Sequence, residues 1–211
     1  MAARKLATAE PESLDLWQSA KRQVIQQAVI RLMCQEGIEN VTMDRVAAAA
    51  GIAKGTLYLH YKDKQELLES VKESTLAPMV DRMDEVLRGT ATPDRRIQLY
   101  ALNYLGWFDE RRDLFRILIY ERESVRVHGA RYMSDRYRHL VQEVAKVIRE
   151  GIRKGLFRDV DAHNVATMFV ESNFAIVNQR LLSAKPAPVE DDAELISGVF
   201  LRGIKAGRGA K

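Results

Sequence analysis

Four hydrogen-bonding side chains, Lys54, Thr56, Tyr58 and His60, crowd one short stretch that follows a tight glycine turn at Gly51. Side chains of these types on an exposed helix can grip phosphate oxygens and reach base edges, which is recognition chemistry. Bond-making chemistry has no comparable signature in the chain. It carries no phosphate-binding glycine loop, no His-Glu-x-x-His and no Gly-x-Ser-x-Gly. The four histidines, His60, His128, His139 and His163, are scattered, and no His/Cys/Asp cluster has metal-ligand spacing. No catalytic residue, metal or cofactor is therefore expected.

The elements that position the first group are helical. A helix from about Asp15 or Leu16 to Glu36 places Val24, Ile25, Ala28, Val29, Leu32 and Met33 on one broad face, and Gly37 stops it. Thr42 is the N-cap of the next helix, with Asp44 at its positive end and Val41 stapled onto Val46. The run Ala47–Ala50 permits close helix crossing, and Gly51 ends it. Lys54–Tyr61 then forms a second short helix, with Gly55 in its first turn and Leu57 and Tyr61 facing inward at i and i+4. Helix, glycine turn, helix over 42–61 reads as a helix-turn-helix, whose second helix can enter a major groove.

Asp63 and Glu66 open a longer helix toward Leu87 and Gly89, and Pro78 predicts a kink or break within it. Further helices are expected at about Asp94–Glu110, Arg112–Ser124, Ala130–Lys154, Ala162–Ser183 and Glu190–Ala206. Gly155 caps one and Val160-Asp161 starts another. The chain has 211 residues, 46% hydrophobic and 29% charged, the balance of a globular protein with a core. It shows no membrane span, no secretory signal and a single cysteine, Cys34, expected to be a buried small side chain in a reducing cytoplasm. Net charge is +4, yet residues 1–75 carry 10 basic and 10 acidic groups, so local placement rather than a global patch must attract an anionic partner.

The motif also resembles the tetracycline-repressor (TetR) family of bacterial transcription regulators. The matching residues are Ala28, Leu32, Met33 and Gly37, then Val41-Thr42-Met43-x-x-Val46-Ala47-x-x-Ala50-Gly51-Ile52-x-Lys54-Gly55-Thr56-Leu57-Tyr58-x-His60-Tyr61-Lys62-x-Lys64-x-x-Leu67-Leu68. Ala53 departs from the usual serine or threonine, so the second helix lacks a side-chain cap, and Leu59 departs from an aromatic or polar residue. The resemblance implies that Lys54, Thr56, Tyr58 and Leu59 line the groove, that His60 and Lys64 grip phosphates, and that Thr42 and Arg45 lie near the DNA backbone. Lysine can donate to guanine, leucine can touch a thymine methyl, and a helix start such as that at Lys64 favours anions.

The expected architecture is all-α: a three-helix DNA-binding domain over 15–75, with its motif at 42–61, followed by a helical regulatory, ligand-binding and dimerisation bundle over 76–211. The bundle is rich in large side chains. Trp107, Phe115, Tyr120, Met133, Tyr137 and Phe169 would wall an effector cavity, with Arg116, Glu171 and Asn173 at its polar end. Asn164, Glu171, Ser172, Asn173 and Asn178 serve either a ligand or a dimer interface. The last two helices would pack as a four-helix dimer interface, with Leu195, Val199, Phe200 and Ile204 exceeding what one face of a lone helix needs.

The expected function is a cytoplasmic, homodimeric transcription regulator, a repressor that binds a near-palindromic operator and is released by a small apolar or aromatic effector. It is not an enzyme, needs no cofactor and binds no membrane. Salt-dependent retention on duplex DNA separates this reading from an enzyme and from a scaffold that binds only protein.

Overall fold

The computed structural model describes the backbone of residues 11–115 and 132–206, with side chains from residue 18 and, after the gap, from residue 135. Its described elements are helical: α1 (Pro11–Glu36), a 3-10 turn (Ile38–Asn40), α2 (Met43–Ala50), α3 (Lys54–His60), α4 (Lys64–Arg88), α5 (Pro93–Glu110), α6 (Tyr132–Arg153), α7 (Ala162–Leu182) and α8 (Val189–Ile204). The chain forms two compact units, 1–74 and 75–211, with the boundary inside α4.

In the first unit α1 buries Ile25, Ala28, Val29, Leu32 and Met33, while α2 contributes Val46 and Ala47, α3 Leu57, and α4 Leu67 and Val71. Val24 departs from its expected place on the apolar face and stands 47% exposed. Cys34 is likewise exposed rather than buried, since the buried arc of α1 is complete with Leu32 and Met33. The α1 stop at Gly37 (φ 81°) and the α2 stop at Gly51 (φ 66°) use the left-handed backbone that glycine reaches without steric cost. At Gly51 the turn closes through Ile52 N–H to Ala47 C=O at 3.0 Å and Gly51 N–H to Ala48 C=O at 3.1 Å.

Asp63 accepts the Glu66 N–H at 2.8 Å, and the Glu66 carboxylate accepts the Lys62 N–H at 2.8 Å, a reciprocal start to α4. The helix then runs through Pro78 without the break that was one of the two expected outcomes. The apolar residues on both sides of the proline supply the reason, because Val71, Met79, Met83 and Leu87 are all buried and hold consecutive turns in place.

The second unit packs α8 on α5, α7 on α6, and α5 on both α6 and α7. Its core contains Ile97, Tyr100, Leu105, Val144, Ile148, Phe169, Val177 and Leu201. Buried charge stitches the helices together. The Arg96 guanidinium donates to the Leu87 carbonyl at 2.8 Å and pairs with Glu150, whose other oxygen takes Lys154 at 2.7 Å. Arg180, 5% exposed, donates to Asp109 at 2.9 Å and to the Ala187 carbonyl at 2.8 Å, and also pairs with Asp192. Beyond α6, Gly155 (φ 68°) turns the chain so that the Phe157 ring lies on Gly151, where a Cβ would stand 2.1 Å from the ring. A short antiparallel bridge then pairs Phe157 with Lys205.

Candidate nucleic-acid interface

Seven residues make α3, too few for a helix to persist in water unaided, so tertiary anchors must hold it. Leu57, fully buried, and Tyr61, 4% exposed, are those anchors, and burying a leucine contributes about 1.5–3 kcal/mol. The Tyr61 hydroxyl lies 3.2 Å from Ser70 Oγ, which also accepts Gln26 Nε2 at 2.9 Å. One serine thus joins α1, α4 and the C-terminal end of α3. Ala53 at the N-cap offers no side-chain bond, leaving the first N–H groups of α3 unoccupied by a cap.

The face opposite the anchors is open. Tyr58 is 46% exposed and Leu59 85%, an unusual exposure for a large aliphatic side chain on an ordered helix. Lys54 is also exposed, whereas Thr56 and His60 are half-buried. Lys54 Nζ sits 2.6 Å from Asp44 Oδ1, and that hydrogen bond raises the lysine pKa. Thr42 caps α2 by accepting the Arg45 N–H at 3.3 Å. The Arg45 guanidinium pairs with Glu36 and donates to the Asn40 carbonyl at 3.3 Å. Lys64 is half-buried, and its ammonium donates to the Ile38 carbonyl at 2.9 Å. One of its three donors therefore holds the 3-10 turn. The imidazole of His60 has its pKa lowered first by burial, then by the charges of Arg22 and Lys21 on α1.

Of the residues expected around an effector, Phe115 and Phe169 are joined through the rings of Phe108, Tyr104 and Tyr100 in the second unit. Trp107 is buried beneath the Arg111 guanidinium, 3.6 Å from the ring centroid. Phe115 lies 4.5 Å from Phe108, centroid to centroid, and Phe169 sits between Tyr100 at 5.4 Å and Phe200 at 5.0 Å. Tyr137 hydrogen-bonds Glu171 and Thr167, and burial and the Glu171 carboxylate push its pKa up to about 12. Asn173 is buried and donates to the Phe169 carbonyl at 2.8 Å, while Glu171 is exposed. Arg116, Tyr120 and the Met133 side chain lie outside the described residues. An open cleft of about 420 Å³ lies elsewhere, lined by Arg149, Arg153, Asp159 and His163 among others.

Of the residues expected at a dimer interface, Leu195 (56%) and Val199 (58%) are exposed. Ile204, 5% exposed, is spent inside its own protomer, and Phe200 is half-buried against Phe169. The sequence assigned both residues to the dimer interface, whereas α5 and α7 cover one side of α8. Leu182 (65%), which sequence reasoning passed over, and Met168 (62%) are exposed on α7 at spacings of seven from Ala175. That spacing was the available signal.

Comparison with known proteins agrees with this geometry. Residues 25–71 match the sequence model described as "Bacterial regulatory proteins, tetR family", and residues 90–176 match "Tetracyclin repressor-like, C-terminal domain". The HTH-type transcriptional regulator SAB2452 of Staphylococcus aureus is 33% identical over 87 residues, 41% of this chain and 46% of that one. YhgD, an HTH-type transcriptional regulator of Bacillus subtilis, is 21% identical over 88% of this chain and 97% of its own. A TetR transcription regulator from Haloarcula marismortui shares the fold with a TM-score of 0.77, at 21% identity, over 89% of this chain and 99% of that one. The two sequence models together take in the helix-turn-helix of the first unit and most of the helices of the second. The chain belongs to the TetR family of transcription regulators, which are DNA-binding proteins and not enzymes.

Proposed function

We propose that the protein is a ligand-responsive repressor that binds a near-palindromic operator as a homodimer and lets go when a small apolar or aromatic effector binds its second unit. The exposed face of α3 carries the reading: Tyr58 and Leu59 face outward on a helix that Leu57 and Tyr61 fix from below. Lys54, Thr56, Tyr58 and Leu59 meet base edges, and Thr42, Arg45, His60 and Lys64 flank the sugar-phosphate backbone. The DNA-binding part occupies 15–75 and the regulatory part 76–211. A bacterial cytoplasm is where such a protein would meet its operator. No described helix is long and apolar enough to cross a membrane.

Met168, Leu182, Leu195 and Val199 support the homodimer, since α7 and α8 present these large apolar side chains to solvent. Two copies would hold their α3 helices about 34–36 Å apart, one DNA turn. Unspent hydrogen-bonding capacity supports the effector. Among the described residues the Tyr100 hydroxyl, Asn173 Oδ1 and Trp107 Nε1 are buried without a hydrogen-bond partner, an arrangement that costs about 1–3 kcal/mol each until something occupies it. Selection of bound sequences from random duplex DNA, followed by a screen for small molecules that release the selected duplex, tests the proposal. Failure to enrich any sequence would remove it.

A further inference from the structure

Two residues carry an α-helix round by about 200°, so Leu59 points away from Leu57, the buried anchor of α3. Their exposures agree, 0% for Leu57 and 85% for Leu59. Among the described residues no other large hydrophobic side chain is as exposed; the next, Leu182, stands at 65%. Gly55, four residues before Leu59 on the same helix, shares its outer line. A Cβ at Gly55 would meet nothing within 4 Å, and its backbone is helical, so neither packing nor conformation within the protein calls for glycine there. The outermost line of α3 is thus bare at its start and ends in an isobutyl group. The hydrogen-bonding side chains stand to either side of it, Lys54 and Tyr58 on one flank, Thr56 and His60 on the other.

We infer that Leu59 specifies a thymine in each operator half-site by packing on its methyl group, and that bare Gly55 lets the helix come close enough for the contact. The inference rests on the proposal that α3 reads duplex DNA. A helix in a major groove brings its outermost line nearest the base edges, where a leucine has no donor or acceptor to offer. Of the four bases only thymine presents a methyl group in that groove. Against guanine, adenine or cytosine the leucine displaces water from polar edge atoms without replacing its hydrogen bonds, a cost that the thymine methyl reduces. Leu59 therefore selects by both attraction and penalty.

Fluorescence anisotropy of the full chain tests it, on the duplex that the wild type selects from random DNA. Each thymine of a half-site is replaced in turn by deoxyuridine, which keeps the pairing and the O4 acceptor and removes only the methyl. At one position this should weaken wild-type binding about fourfold, and about fifteenfold when made in both half-sites, the worth of one buried carbon per site. Leu59→Ala, at a salt concentration where it still binds, should hold the thymine and uracil duplexes within about twofold of each other. Leu59→Met keeps an apolar side chain of similar reach and should keep the penalty. Both variants should melt as wild type does, because Leu57 and Tyr61 hold the helix. Wild-type indifference to every replacement, beside lost binding in Tyr58→Ala, would overturn the thymine contact alone. A uracil penalty undiminished in Leu59→Ala would also overturn it, since another side chain then meets the methyl. If the wild type enriches no sequence, the proposed function fails, and the thymine contact with it.

Discussion

Lys54 Nζ and Asp44 Oδ1 stand 2.6 Å apart, so the first turn of the reading helix is tied to the first turn of the helix before it. Both side chains are exposed, and water screens the pair, so its worth to stability is small. On the proposed function its worth to recognition is larger: if Lys54 faces the groove, a carboxylate beside it opposes DNA and occupies the lysine. Asp44→Asn should raise affinity for selected and scrambled duplexes alike, with an unchanged thermal midpoint. Anisotropy on both duplexes checks this. Weaker binding would show that Asp44 instead aims Lys54 at its base, and unchanged binding that the pair has no part in recognition.

Tyr58→Ala should cost about 1–3 kcal/mol of affinity on the selected duplex, the range of one lost base contact, and almost nothing on a scrambled one. Helicity and sedimentation should be unchanged, because the side chain is 46% exposed and packs no core. Equal losses on both duplexes would place Tyr58 on the backbone.

His60 sets a pH dependence with two signs. Its pKa in the free protein lies below the ordinary 6.5, because burial and then Arg22 and Lys21 disfavour the imidazolium. The folded protein therefore gains stability from neutral His60 above about pH 6.5, the unfolded value, and loses it as pH falls through the lower folded value. A phosphate against the ring reverses the preference and raises the pKa in the complex. DNA affinity should then rise as pH falls below neutrality, with proton uptake on binding, and His60→Gln should flatten that rise. Anisotropy and thermal melts in parallel buffers separate the two effects.

Glu150 has its pKa held down to about 2, first by the Lys154 ammonium and next by the Arg96 guanidinium. Its stabilising contribution is present above the usual glutamate value of 4.5 and is lost as pH falls toward about 2. Glu150→Gln leaves buried Arg96 without its counter-charge and should destabilise the fold by about 3 kcal/mol, as for a buried pair robbed of one partner. Urea melts at pH 7 measure it. A loss too small to resolve would mean that the Leu87 carbonyl alone satisfies Arg96.

Leu195→Arg with Val199→Arg should yield monomers in sedimentation and abolish binding to a two-half-site operator, while each unit keeps its fold. Phe200→Arg is a poorer probe, since Phe200 packs on Phe169 and its loss would disturb the protomer itself. Dimers persisting in the double variant would place the interface elsewhere.

Sequence sufficed wherever local chemistry decided the outcome. Thr42 caps α2, Gly51 turns the chain, Asp63 and Glu66 start α4, and Asp161 starts α7 by accepting the His163 and Asn164 N–H groups at 2.9 and 3.0 Å. It fell short where a distant element decided. Pro78 left a kink or a break open because its effect on hydrogen bonding is local, while the buried turns that keep the helix unbroken depend on packing. Cys34 looked buried because cysteines usually are, and Ile204 looked available because nothing along α8 reveals that it is covered within the protomer. The cations of the motif were all visible, but whether Arg45 or Lys64 already had a partner depended on where the end of α1 and the 3-10 turn passed.

Arg180 has a consequence for anyone cutting or grafting this chain. Its guanidinium meets Asp109 on α5, the Ala187 carbonyl and Asp192 on α8, while Arg112 reaches back to the Arg180 carbonyl at 2.7 Å and to that of Ser183. Residues 183–188, surface-lying and marked by Pro186 and Pro188, look like the natural place for a fusion joint or a new chain terminus. They are instead a measured span: the loop must bring Ala187 back to Arg180 while α8 delivers Asp192 to the same guanidinium. Lengthening it by even a residue or two would leave a buried positive charge searching for its acceptors, so circular permutants and inserted tags belong at other joints.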